Sequence, residues 1–168
     1  MRIMIVDDDK PTLEVLVECC EVLGHQTVGC KNGSEALEKL EIFKPDMVIT
    51  DYNLDQTMNG AELTRLIKEK SPYCNIVVMS GYGSVKLAVS SMKAGAFEFL
   101  QKPVDFSETE RIVNESKRRS DEIPSLEEVE KRHVEGVINI SSTLEKAAKK
   151  LNIDTSTLWR KRKHNIAA

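Results

Sequence analysis

Four short apolar runs in this 168-residue chain end on side chains that can do metal or phosphate chemistry. Asp46-Met47-Val48-Ile49-Thr50 runs into Asp51, Arg2-Ile3-Met4-Ile5-Val6 into Asp7-Asp8-Asp9, and Asn75-Ile76-Val77-Val78-Met79 into Ser80. The fourth, Phe97-Glu98-Phe99-Leu100, closely precedes Lys102-Pro103. Runs this short and this rich in β-branched residues read as buried strands. If the strands are parallel, one sheet edge gathers three carboxylates, a hydroxyl and an ammonium, at the place where open α/β sheets form their binding crevice. Crowded carboxylates are costly unless a cation neutralises them, and Mg²⁺ typically takes one or two carboxylates plus waters. A carboxylate beside such an ion and a lysine is also a good phosphoryl acceptor, because both cations offset charge on the transferred oxygens. Each of these residues alone reads as an ordinary strand-end or turn residue. Their convergence carries the site.

The intervening segments supply the helices that such a sheet needs. Pro11 suits a first helical turn before Leu13, Val15, Leu16, Val17, Val22 and Leu23, and Gly24 suits the stop. A strand over residues 26–30 precedes Asn32-Gly33-Ser34, a turn and cap for a helix through Leu37, Leu40 and Phe43 that Pro45 ends. Leu63, Leu66 and Ile67 mark a third helix ending near Ser71-Pro72. Val85, Ala88, Val89 and Met92 mark a fourth with Gly95 past its end, and residues 107–118 a fifth. Five strand-helix alternations call for a doubly wound α/β domain, with a five-stranded parallel sheet and helices on both faces, over residues 1–118. Residues 119–125 read as a polar linker. Residues 126–168 then read as a small all-α domain, with S-x-x-E capping boxes at Ser125–Glu128 and Ser142–Glu145. In it Asp154 caps a last helix from Thr155 to about Lys163, and the final two helices match a helix-turn-helix.

Residues 1–118 carry 14 Lys+Arg against 19 Asp+Glu, whereas residues 143–165 carry 7 against 2. An acidic body with a basic end points to a polyanion partner for the tail. No run of apolar residues is long enough to span a membrane, and no secretion-type leader is evident. Cys19, Cys20, Cys30 and Cys74 lack CxxC spacing and read as reduced thiols. The expected location is the cytoplasm.

The motifs Ile5-Val6-Asp7-Asp8-Asp9, Val48-Ile49-Thr50-Asp51, Val78-Met79-Ser80-Gly81 and Lys93-Ala94-Gly95-Ala96-Phe97-Glu98-Phe99-Leu100-Gln101-Lys102-Pro103 resemble, in order and spacing, the receiver domain of bacterial two-component response regulators. The resemblance implies a flavodoxin-like fold and phosphoryl transfer from a sensor histidine kinase to Asp51. It implies Mg²⁺ held by Asp7, Asp8, Asp51 and the carbonyl of Asn53, with Lys102 pairing with the phosphoryl group. It also implies a cis Lys102-Pro103 peptide and a switch pair of Ser80 and Phe99. Asp9 and Tyr82 are read as loop residues. The Asp51–Gly60 loop departs from the family pattern: it is one residue longer and has Asp55 in place of the usual Pro.

Leu126 to His133, Thr143 to Ala148 and Leu151 to Lys163 resemble the Fis-type helix-turn-helix that closes nitrogen-regulation (NtrC-type) regulators. No G-x-x-x-x-G-K phosphate loop occurs, so that family's central ATPase module is not expected. The resemblance implies DNA binding as a homodimer, with the helix over residues 126–140 as the seam. Thr155, Ser156, Thr157, Arg160 and Lys161 are candidates for base or backbone contact, and Arg162, Lys163 and Lys146 for phosphates. Leu158 reads as core, Trp159 as packing in preference to touching DNA, and His133 as a surface residue. The expectation is a phosphorylation-controlled transcription regulator and not an enzyme with an external substrate. A phosphatase reading fails because Asn53 stands where a D-x-D general acid is needed. The alternative is a phospho-switched module whose helical tail binds a protein.

Overall fold

The computed structural model describes residues 1–54, 58–121 and 126–166, with 120–121, 127–128 and 162–166 by backbone alone. The chain divides into two compact units, Met1–Asp121 and Glu122–Ala168.

The first unit alternates β1 (Arg2–Val6), α1 (Lys10–Val22), β2 (Gln26–Cys30), α2 (Gly33–Phe43), β3 (Met47–Asp51), α3 (Gly60–Lys70), β4 (Asn75–Ser80), α4 (Val85–Lys93), β5 (Glu98–Gln101) and α5 (Phe106–Asp121). All neighbouring strands pair in parallel, in the order β2-β1-β3-β4-β5, the flavodoxin-like arrangement. Every residue of β3 and β4 is buried, because helices cover both faces of these central parallel strands, which are apolar but for residues near their ends. Alternate side chains feed opposite cores. Ile3, Ile5, Ile49, Val77 and Met79 pack with Leu16 and Cys20 of α1 and Ile112 and Val113 of α5. Met4, Val6, Val48 and Ile76 pack with Ala36 and Leu40 of α2 and Leu63 and Ile67 of α3. Each of the Val, Leu, Ile and Met side chains contributes roughly 1.5–3 kcal/mol by leaving water.

Local chemistry sets the boundaries. Asp9 caps α1 by accepting from the Thr12 N–H, and Gly24 takes a φ of 80° just past its end. Asn59 and Glu62 close a capping box on α3. β5 ends one residue later than the sequence pattern suggests, and α5 extends past residue 118 through Asp121, into the stretch read as linker. Residues 122–125 of that linker lie outside the described ones. In α4 only Ser91 is buried, while Val85, Val89 and Met92 are exposed. β5 is a short edge strand with Glu98 and Phe99 only partly buried, so little of the sheet is there to cover the apolar stripe of α4.

The second unit packs α6 (Leu126–Asn139), α7 (Leu144–Lys150) and α8 (Thr155–Ile166) around Val134, Ala147, Ala148 and Leu158. The cap of α7 is Thr143 and not Ser142. Thr143 has the extended backbone that aims its side-chain oxygen at the first turn, and it accepts from the Lys146 N–H at 3.2 Å. Ser142 instead accepts from Lys146 Nζ at 3.0 Å. The Ser125–Glu128 box falls outside the described residues. α8 runs to Ile166, beyond the expected Lys163. No described helix is long and apolar enough to cross a membrane.

Candidate functional site

Parallel register brings the C-terminal ends of β1, β3 and β4 to one sheet edge. Val6 pairs with Thr50 and Asp51 with Met79, so Asp7, Asp51 and Ser80 emerge side by side. Asp7 and Ser80 are 0% exposed and Asp51 is 6% exposed, while Asp8 is exposed. Carboxylate oxygens of Asp7, Asp8 and Asp51 all lie within 4.8 Å of one another.

Lys102 closes the cluster. Its backbone N–H donates to the Ser80 carbonyl at 2.9 Å, continuing the β4–β5 ladder, and the Lys102-Pro103 peptide that follows is cis. Its Nζ donates to Asp7 Oδ2 at 2.7 Å and stands 3.1 Å from Asp51 Oδ1. Asp7 Oδ1 accepts from the Asp9 N–H at 3.0 Å. Asp51 Oδ1 is buried, with no donor in hydrogen-bonding geometry; the Lys102 contact is an ion pair only. Burial pushes the Asp51 carboxyl above its ordinary range, Lys102 opposes that rise, and Asp7 adds to it. Burial likewise works against the charge on Lys102, but the hydrogen bond to Asp7 and the ion pair with Asp51 outweigh it and hold the ammonium above its usual value. A desolvated carboxylate oxygen with an open lone pair, beside two further carboxylates, fits a hard divalent cation. Asp7, Asp8 and Asp51 are the side chains that would hold it.

The loop after Asp51 doubles back. The Tyr52 N–H donates to the Met79 carbonyl and the Gly60 N–H to the Tyr52 carbonyl, both at 2.7 Å. Asn53, exposed, bridges to Asn59; Asp55 lies outside the described residues. Gly60 is a site residue that pattern reading passes over as a mere loop end. A Cβ there would overlap the Asp51 carbonyl oxygen and lie 2.9 Å from Tyr52 Cα. Its position between a polar loop and a helix was the only signal available.

The Ser80 hydroxyl accepts from the Tyr82 N–H at 3.2 Å. Ser80 pairs with Gln101 and Val78 with Phe99, so Ser80 and half-buried Phe99 share one face of adjacent strands. Tyr82 is exposed. Beside Lys102 a cavity of about 420 Å³ opens between α1 and the segment after β5, lined by Pro11, Val15, Leu16, Met79, Pro103 and Val104. Four cysteines are free; burial pushes Cys20 and Cys74 up to about 12 and Cys30 to about 11, which leaves these three unreactive.

In the second unit Asp154 caps α8. It accepts from the Ser156 hydroxyl, the Thr157 N–H at 3.0 Å and the Thr157 hydroxyl at 2.8 Å, and these bonds, led by that from Ser156, pull its carboxyl below the usual range. Thr155, Ser156 and Arg160 are exposed, whereas Thr157 and Lys161 are half-buried. Lys161 bonds to Glu130 of α6. Lys146 is exposed, as is His133. The side chains of Arg162 and Lys163 are outside the described set. Leu158 is buried, as its pattern implies, and Trp159 is 58% exposed.

A family model described as the response regulator receiver domain matches residues 3–114. The photosynthetic apparatus regulatory protein RegA of Cereibacter sphaeroides is 29% identical over 163 residues, covering 94% of this chain and 88% of that protein. The transcriptional regulatory protein ZraR of Klebsiella oxytoca is 32% identical over 114 residues, 68% of this chain but only 26% of ZraR. The crystal structure of a CheY-like response regulator receiver domain protein from Methanospirillum hungatei JF-1 superposes with a TM-score of 0.70 at 27% identity, covering 73% of this chain and 98% of that one.

Proposed function

Since the chain belongs to the response regulator receiver family, we propose that it is a two-component transcription regulator switched by phosphorylation of Asp51. The observation that carries this reading is the dry Asp51 carboxylate, ion-paired to Lys102 at 3.1 Å and clustered with Asp7 and Asp8. An Asp51 oxygen attacks the phosphorus of a phosphohistidine on a sensor kinase; the new O–P bond forms as the N–P bond breaks, and the imidazole leaves. Asp7, Asp8, Asp51 and the Asn53 carbonyl would hold Mg²⁺, which would offset charge on the transferred oxygens. Lys102 shifts from the carboxylates to a phosphoryl oxygen. Ser80 turns its hydroxyl from the Tyr82 N–H to another, and Phe99 turns inward behind it. The chain turns over no external substrate; hydrolysis of its own acyl phosphate resets it.

The output is DNA binding by the second unit. Residues 143–165, with 7 Lys+Arg against 2 Asp+Glu, supply the phosphate attraction. Lys146, Thr155, Ser156 and Arg160 are exposed for contact. α6 leaves Leu126 and Val129 exposed, and Ile140 is exposed just past its end, an apolar seam for a homodimer on paired half-sites.

Intact mass after incubation with acetyl phosphate and Mg²⁺ tests the first step. Wild type gains one phosphoryl group, Asp51→Asn gains none, and a chelator abolishes the gain. A folded wild type whose mass stays unchanged would overturn the reading. Salt-sensitive binding of duplex DNA tests the output.

A further inference from the structure

In the first unit Lys39 pairs with Glu35 at 2.8 Å, Lys70 with Glu41 at 3.3 Å and Lys102 with Asp7. Half-buried Lys68 of α3 is held differently. Its Nζ donates to the Pro72 carbonyl at 3.0 Å, a bond made at the surface. Its stem lies against Gly95, where an added Cβ would come within 3.1 Å of Lys68 Cγ. Among the described residues no carboxylate pairs with it: Glu69 is taken by Arg65 at 2.6 Å, and Asp46 by Arg2. The charged group that acts on it is another cation, Arg119 of α5, which is exposed with its guanidinium 5.1 Å from the centroid of the Phe97 ring. Burial lowers the Lys68 amine from its ordinary range and Arg119 adds to the fall; Cys74 would oppose it only as a thiolate. Burial pushes that thiol up to about 12, so at neutral pH it carries no negative charge. A half-buried amine with a like charge near it and no counter-ion favours its neutral form, and the neutral amine is the nucleophile.

We propose that Lys68 is a modification site, an amine that takes the acetyl group of an acyl phosphate whose phosphate Arg119 attracts. The Lys68 nitrogen attacks the acyl carbon of acetyl phosphate. The N–C bond forms as the C–O bond to phosphate breaks, phosphate leaves, and the surplus proton on nitrogen passes to it or to water. The product suits the same surroundings: its amide N–H still donates to the Pro72 carbonyl, and the lost charge ends the repulsion from Arg119. Lys68 stands beside the start of β4, at the opposite sheet edge from Asp51, which pairs with Met79 near that strand's end. Acetylation therefore depends neither on phosphorylation of Asp51 nor on DNA binding.

The test follows acetyl occupancy of each lysine over time, by peptide mass, in the full chain and in Asp51→Asn incubated with acetyl phosphate and Mg²⁺ at neutral pH. The expected result is Lys68 labelled several-fold faster than the exposed Lys86 and Lys93, at the same rate in both proteins. Arg119→Gln should slow labelling by acetyl phosphate several-fold, and labelling by N-hydroxysuccinimidyl acetate, an uncharged donor, by less. Label spread evenly over the exposed lysines, or absent from Lys68, would overturn the proposal. Equal rates with and without Arg119 for acetyl phosphate, or equal slowing with both donors, would overturn its attraction of the phosphate. A wild type that is acetylated at Lys68 but gains no phosphoryl group would bring down the Asp51 reading and leave this one standing.

Discussion

In the first unit, Lys102 donates to Asp7 across 95 residues of chain, and the pair meets only at a sheet edge that five strands build. In the second, Asp154 takes its hydrogen bonds from residues two and three positions ahead. The acidic pocket is backed by apolar clusters on both faces of the sheet, whereas α8 is held by one cluster with four buried residues. The contrast shows where each function is stored. The pocket is a product of the whole sheet, and its charges are buried enough to matter for folding. The outer stripe of α8 is a product of one helix and its cap, and it depends on few contacts for its placement.

The comparison can be broken at either end. The largest effect is expected for Lys102→Met, which leaves Asp7 and Asp51 facing one another with no ammonium between. Metal-free urea unfolding should show the first unit losing about 3–5 kcal/mol at neutral pH, with Mg²⁺ recovering part of it. A variant as stable as wild type would mean that the convergent charges are not coupled to the fold. Leu158→Ala should cost about 3 kcal/mol, enough in so small a cluster to melt α6–α8 while calorimetry finds the first unit's transition in place. A single shared transition that shifts would show that the two units are not independent. Gly60→Ala should cost about 2 kcal/mol and slow acetyl-phosphate labelling of Asp51, because the added methyl collides with the Asp51 carbonyl. Unchanged labelling would detach the loop from the acceptor.

The smallest effect sharpens the local side of the contrast. The Asp154 carboxyl is held below its ordinary range by the Ser156 and Thr157 bonds. A lowered folded value favours the carboxylate, so its contribution is fully present above the unfolded value of about 3.9 and is lost as pH falls through the folded one. Circular dichroism should therefore show α8 weakening only in strong acid, and Asp154→Asn should flatten that dependence.

Much of this was legible along the chain. The strand runs that end on Asp7, Asp51 and Ser80 were readable because parallel strands buried on both faces must be continuously apolar, and that requirement marks their ends. Asp154 as a cap was readable because capping acts over three residues. The α7 cap was read one residue early, since Ser142 and Thr143 are chemically alike and only backbone extension chooses between them.

By itself the sequence determined the order of strands and helices, the polar residue at each strand end, and the basic balance of the last helices. Those are consequences of side-chain type at short range. Only the tertiary structure decided that Asp51 is dry and Asp8 wet, and that Gly60 must lack a side chain. It also left the apolar stripe of α4 uncovered on a short edge strand, and turned Trp159 outward while drawing Lys161 to Glu130. Burial and pairing depend on what a fold places opposite a residue, and periodicity reports a face without naming its neighbour.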